Sequence, residues 1–583
     1  MIDELGRRRF IKGVGAGLFL TGLQMQFPLP LWARSEGWGL QCLPGPRTRY
    51  DLTIGYSPIV IDGREGTSTG INGTVPGPLV RLREGDEISL NVTNALMDTE
   101  HASIHWHGIL VPFGMDGVPG VNFGGIQPGE TYEYRYRVKQ AGTYWYHSHS
   151  RFQEQTGTYG PLIIDPKDGE PWGYDRDYVV VLSDWSFEDP ETIFRHINLV
   201  GHYYNFQQRT VGEFFEDVQE RGFLDTVKDR LAWGKMRMSP VDLLDVTAAT
   251  YTYLMNGNSP DMNWTALFNP GEKIRLRFIN ASTMTIFDVR IPGLNMDVVM
   301  ADGKAVKPVN VHEFRIGVAE TYDVLVKPME DRPFTIFAES LDRSGYTRGT
   351  LAPEPGMTAP VPSLRPRPAR RLEDIGMGMM DDKIFGGMDH SKMKQMKRTP
   401  EHDPRLPGPN GPKPFLPDKE MVNVAMAIKN PKYRLDEPGI GLGEDGWKVL
   451  TYADLVSDAE QPYEPAPDRE MTINITANME RYMFSFDGKK FSEHPGPYLF
   501  RHNERLRLFL VNHTMMEHPI HLHGMWMQLE NGSNPLPFKH TILVKPGEAL
   551  SALITPIEKG DWAFHCHLLY HMEAGMFQVV RVA

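Results

Sequence analysis

Four short histidine clusters, two in the first third of the chain and two in its last seventy residues, constrain its folding most. They are His105-Trp106-His107-Gly108, His147-Ser148-His149, His518-Pro519-Ile520-His521-Leu522-His523-Gly524 and His565-Cys566-His567, the last followed by His571 and Met576. Ten of the twenty histidines fall in these motifs. A thiolate, imidazoles and a weak axial thioether are the ligand set of a blue-copper electron-transfer site. Alternate side chains of an extended segment project to opposite sides, so Cys566 faces away from His565 and His567. One such segment binds one metal through its cysteine and others through its neighbours, and an electron crosses between them along a few covalent bonds. A lone histidine is ordinarily a core or surface residue; four clusters with a Cys and a Met at this spacing are not. The pattern points to an oxidase rather than a simple electron carrier.

At 583 residues the chain is too long for one core. Its 46 prolines and 56 glycines, with few helical periodicities, favour a loop-rich all-β protein. A net charge of −13 argues against a nucleic-acid partner. Only Cys42 and Cys566 are present, so if Cys566 holds copper no disulfide is available and Cys42 is a spare thiol.

An internal repeat organises the sequence. His147 lies nineteen residues after Pro128 of Pro128-Gly129-Glu130, and His565 nineteen after Pro546 of Pro546-Gly547-Glu548. Upstream, Glu87–Asn94 leads into the His105 pair and Glu504–Asn512 into His521, each alternating apolar and polar residues as in a half-buried strand. The strand recurs as Glu272–Asn280, but Val289-Arg290-Ile291-Pro292-Gly293 stands where H-x-H-G is expected. Three β-sandwich domains at 45–165, 175–345 and 418–583 are predicted, with ligands kept in the outer two and a helical insertion between Tyr203 and Gly234.

Residues 346–417 form a Pro- and Met-rich linker. Met377, Met379, Met380, Met388, Met393 and Met396, with His390, sit among Gly, Asp and Lys without helical periodicity. Core packing and a functionless linker are the competing readings; soft thioethers favour weak, exchangeable Cu(I) binding. Residues 1–33 read as a twin-arginine export signal: Arg7-Arg8-Arg9-Phe10, an apolar run from Val14 to Leu23 too short for a permanent anchor, and a cleavage site near Leu31-Trp32-Ala33. A periplasmic address is expected.

On these residues the chain resembles three-domain multicopper oxidases, and more narrowly the laccase-like bacterial copper-resistance protein A family. Tyr203-Tyr204-Asn205-Phe206 and Met388–Met393 support the narrower likeness. The resemblance implies three cupredoxin-like Greek-key domains and four coppers. His518, Cys566 and His571 would hold the type 1 ion with Met576 axial, and His105 and His521 the type 2 ion. His107, His147, His149, His523, His565 and His567 would hold the type 3 pair. Asp116 matches a family proton donor, though a turn residue before Gly117 is an equally good reading of the sequence alone. Many relatives carry a second acid directly after the residue matching His571, where this chain has Met572; Glu573, one residue on, is the remaining candidate.

The expected activity is oxidation of Cu(I), and of phenols, coupled to reduction of O2 to water in copper resistance, by a monomer. The alternatives are a laccase with an organic substrate and a copper-sequestering protein. Met515, Met516, Met525, Met527 and Met572 crowd the type 1 motifs; core packing accounts for most, and one or two could relay Cu(I).

Overall fold

Strand Glu87–Asn94 buries Ile88, Leu90 and Val92 and leaves Glu87, Ser89, Asn91 and Thr93 in contact with solvent, as its alternation predicts. Its counterpart Ile274–Asn280 is buried along its whole length instead. The polar face of that strand carries Arg275 and Arg277. Arg277 pairs with Asp177 at 2.7 Å and donates to Thr143 Oγ1 at 3.1 Å, while Arg275 pairs with Asp323 at 2.6 Å. Thr143 belongs to the first sandwich, so the face expected in water is an interface. Removing one partner of such a buried pair costs about 3–5 kcal/mol.

The chain is seen in a computed structural model that describes residues 45–97, 100–376, 403–408, 411–417, 421–459 and 465–583. The export signal (1–33), Cys42, and the linker residues Met377, Met379, Met380, Met388, His390, Met393 and Met396 lie outside the described residues. Six sheets pack as three sandwiches. The first joins two four-stranded sheets; the second and third each join a six-stranded to a five-stranded sheet. The last strand of the middle sandwich is Tyr346–Ala352, beyond the expected boundary at 345.

A fully buried asparagine closes the repeated strand in all three copies. Asn94 donates to Ile126 O at 2.8 Å and accepts from Leu96 N at 2.9 Å. Asn280 does the same with Ile316 O at 3.1 Å and Ser282 N at 3.1 Å, and Asn512 with Val544 O at 3.0 Å and Thr514 N at 2.8 Å. Each side chain satisfies backbone groups that a loop leaving the sheet would strand in the core.

Helices are few. α1 (Pro190–Leu199) starts with Asp189 accepting from Thr192 N and Pro190 in its first turn. α2 (Val211–Arg221) opens on a Thr210/Glu213 capping box, and α3 (Phe223–Met236) buries Trp233. These last two fall in the segment where a helical insertion is predicted. α4 (Leu569–Glu573) is a single turn. Among the described residues no helix is long and apolar enough to cross a membrane.

Candidate metal centre

Two strand pairs build the site. His105–His107 runs antiparallel to Gly142–His147, with His105 opposite His147; His518–Leu522 runs antiparallel to Gly560–Cys566, with His521 opposite His565. Residues two apart share a face, so each pair turns its imidazoles toward the other sandwich. Gly117, with φ +84°, lets the chain after Asp116 lie against the Ile104 carbonyl; a Cβ there would come within 1.8 Å of that oxygen.

The imidazoles form two triplets, His107/His147/His567 and His149/His523/His565, with His105 and His521 joining His107 in a third group. Within each group the donor atoms lie within 4.8 Å of one another. All eight rings except the partly buried His149 are at most 3% exposed. Burial, then neighbouring imidazoles, holds His107, His147, His149, His521, His523 and His567 well below the usual histidine range. Burial likewise lowers His565 to about 4. Neutral imidazole is the form that ligates a metal.

The ring nitrogens supply a test of metal fit. His105, His147, His149, His521 and His567 each bury an Nε2 without a partner, and His107 buries an unpartnered Nδ1. His565 Nδ1 donates to the Cys566 carbonyl at 2.9 Å, and His523 Nδ1 to Asp116 Oδ2 at 2.9 Å. Both protons are thus on Nδ1, and the two Nε2 atoms face each other at 3.0 Å with lone pairs only. Two opposed lone pairs do not make a hydrogen bond; a cation between them removes the conflict. The donor set fits metal.

Outer contacts orient the rings. His105 Nδ1 donates to the Asp116 carbonyl at 2.7 Å, His521 Nδ1 to the His540 carbonyl at 2.7 Å, and His147 Nδ1 to Glu154 Oε2 at 2.7 Å. Asp116, fully buried, also accepts from Asn122 at 3.0 Å. Glu154 is 3% exposed, and burial, then Asp184, lifts its carboxyl well above the carboxylate range. Glu573 is exposed at the end of α4, with Arg151 and Glu191 as its charged neighbours; it makes no hydrogen bond to these histidines.

On the other face of the Cys566 strand lies a second triangle. Cys566 Sγ is 3.5 Å from His518 Nδ1 and 3.9 Å from His571 Nδ1, and the two nitrogens are 3.2 Å apart. Burial pushes the thiol well above its usual range, so a metal must displace its proton on binding. His518 Nε2 meets Thr514 Oγ1 at 2.8 Å, His571 Nε2 donates to Asp245 Oδ2 at 2.6 Å, and Phe484 stacks on His571 at 3.7 Å. Met576 is fully buried; its carbonyl accepts from Cys566 N at 3.1 Å and its N–H donates to His571 O at 3.0 Å.

The methionines divide. Met525 and Met527 belong to the large core and Met572 packs against it. Met515 and Met516, on the loop into His518, form a separate cluster with Met426, Met479, Met236 and Met238 around Trp233 and Ile375.

Family signatures described as multicopper oxidase match residues 53–169, 224–357 and 464–583. A copper resistance protein A homolog from Pseudomonas syringae pv. tomato is 50% identical over 597 residues, covering 100% of both chains. The chain belongs to the multicopper oxidase family, and within it to the copper-resistance protein A type. Copper resistance protein A from Escherichia coli is 48% identical to this oxidase over 620 residues, again covering 100% of each. The laccase from Botrytis aclada shares the cupredoxin-like fold, with a TM-score of 0.60 at 20% identity over 93% of this chain and 88% of the laccase. As a multicopper oxidase this protein uses oxygen as acceptor and carries one type 1, one type 2 and two type 3 coppers.

Sequence spacing did not single out Asp245, Glu154 or His540. Each is an isolated residue brought in by tertiary packing, with no local pattern to mark it.

Proposed function

We propose that this oxidase protects a periplasm from copper by oxidising Cu(I), with phenols as additional donors. His518, Cys566 and His571 hold the type 1 ion with Met576 beside them, and His105 and His521 the type 2 ion. His107, His147 and His567 hold one type 3 ion; His149, His523 and His565 hold the other. Bound copper supplies one-electron uptake at the first site and four-electron reduction of O2 to water at the second. Cys566 joins the two pockets covalently through both neighbours, and the His565 Nδ1–H bond to its carbonyl adds a second link. Asp116 is the carboxyl in reach for carrying protons: Oδ2 is bonded to His523 Nδ1, and Oδ1 lies 3.4 Å from His105 Nδ1.

The observation that carries the cuprous reading is the methionine cluster. Thioethers are soft donors suited to Cu(I). The cluster adjoins the loop into His518 and contains Ile375, where the chain runs on toward Met377. The cluster thus meets the chain both where it enters the linker, at Ile375, and where it approaches His518, at Met515 and Met516. The name copper resistance protein A, carried by relatives about half identical over full length, favours the same role.

Oxygen uptake with Cu(I) as sole donor, before and after deletion of 376–397, tests this. Loss of cuprous turnover with phenol turnover kept supports it. Unchanged rates on both donors would favour a laccase acting on organic substrates. A copper-sequestering protein would still protect cells after Cys566→Ser, whereas an oxidase would lose protection with its colour.

A further inference from the structure

His540 is 1% exposed and lies against the His107 and His521 rings. Its carbonyl accepts from His521 Nδ1 at 2.7 Å. Its ring Nδ1 faces His107 Nε2 at 3.2 Å and Thr541 Oγ1 at 3.1 Å, with Asp302 Oδ2 3.6 Å away. The backbone is pinned: the N–H groups of His540 and Thr541 both donate to Asp302 Oδ2 at 3.1 Å. Asp302 is itself held by buried Lys539 at 3.1 Å, which reaches Glu320 at 2.6 Å.

His107 buries an unpartnered Nδ1, so its proton sits on Nε2, which lies 3.2 Å from both His540 Nδ1 and Thr541 Oγ1. With Nδ1 accepting a hydrogen bond from that nitrogen, His540 carries its own proton on Nε2, a buried atom with no partner. That ring edge faces Gly108: a Cβ at this glycine would lie 2.4 Å from His540 Cδ2 and 2.5 Å from Nε2. Gly108 and His540, with His105, His521 and His523, line a cavity of about 10 Å³ for the centre of a water-sized ligand. That is room for one small molecule. A buried donor pointing into a water-sized space calls for an acceptor there.

We propose that His540 is a positioning residue that fixes His107 in its Nδ1-ligating tautomer and donates from Nε2 to a water-sized oxygen ligand or small anion in the cavity it lines with Gly108, His105 and His521. This rests on the copper assignment above and adds a determinant outside the ligand set. Two substitutions separate its two ring nitrogens. His540→Asn keeps a polar atom near the Nδ1 position but falls short of the cavity; His540→Gln reaches the cavity with an amide donor.

The test is fluoride titration of the copper-loaded full chain, followed by the electron paramagnetic resonance of its type 2 ion. Copper content and the thiolate absorption band are measured alongside. The expected result is four coppers and an unchanged band in His540→Asn, with fluoride affinity lowered about tenfold or more, and an affinity within about threefold of the original in His540→Gln. Equal fluoride affinity in His540→Asn and the unsubstituted protein overturns the proposal. Should His540→Asn fail to fold, His540→Gln decides: a tenfold loss overturns it, near-original affinity supports it. Fewer than four coppers in the unsubstituted protein would strike the underlying assignment instead, a result distinct from the fluoride comparison.

Discussion

Asp245 Oδ2 accepts a hydrogen bond from His571 Nε2 at 2.6 Å, so a carboxylate of the middle sandwich orients an imidazole of the proposed type 1 site in the last. Asp245 also takes the Tyr482 hydroxyl at 3.0 Å and is 4% exposed. A carboxylate behind a ligating imidazole fixes its tautomer and raises its basicity.

Replacing Asp245 by Asn leaves an amide that can still accept but no longer carries charge. We expect the thiolate band to persist while kcat/KM for Cu(I) falls about tenfold, with a smaller effect on phenols. Oxygen uptake on both donors measures it; unchanged rates on both would count against the orienting role.

Cys566→Ser removes the only sulfur in the type 1 triangle. The expected product binds copper at the eight-histidine site, lacks the intense red absorption, and neither turns over nor protects cells. Metal analysis and visible spectroscopy check this together. A variant that keeps its colour would contradict the ligand assignment.

Glu154 holds His147 Nδ1 at 2.7 Å from within the core. Glu154→Ala should weaken type 3 copper about 10- to 100-fold, whereas Glu154→Gln keeps an acceptor and most of the affinity. Copper retained after dialysis against graded chelator reads the difference. Identical retention in both would remove Glu154 from the metal centre's support.

His513 responds to acid. It is 2% exposed, accepts from Ile428 N through Nδ1 at 3.0 Å, and donates from Nε2 to Asn474 at 3.0 Å, all of which need the neutral ring. Burial lowers its pKa to about 4. The unfolded chain binds a proton near pH 6.5 and the folded chain does not, so this contribution is full above pH 6.5 and lost as pH falls toward 4. The loss is on the order of 3 kcal/mol. Denaturant midpoints at pH 7 and pH 4.5 should converge in His513→Asn relative to the unsubstituted protein.

The histidines that gather into clusters were legible because four motifs repeat a spacing, and the sandwiches because strands such as Glu87–Asn94 alternate. Ile274–Asn280 was misread as half-buried: alternation reports polarity, and Arg275 and Arg277 meet buried carboxylates rather than water. Glu573 drew notice because it adjoins a motif, and Glu154 did not. The sequence holds no mark that Glu154, seven residues past His147, turns back beneath that ring. Met515 and Met525 were equally near type 1 motifs in sequence, and only the packing separates a thioether cluster from ordinary core.

The Asp302 carboxylate pins the backbone of His540 and Thr541 from a sandwich that contributes no metal ligand. The middle sandwich is therefore a structural part of the centre. Shortening the gene to a two-unit protein would remove the scaffold that sets the spacing of the catalytic half it seems to spare. Grafting ligands into the middle unit would have to preserve that brace.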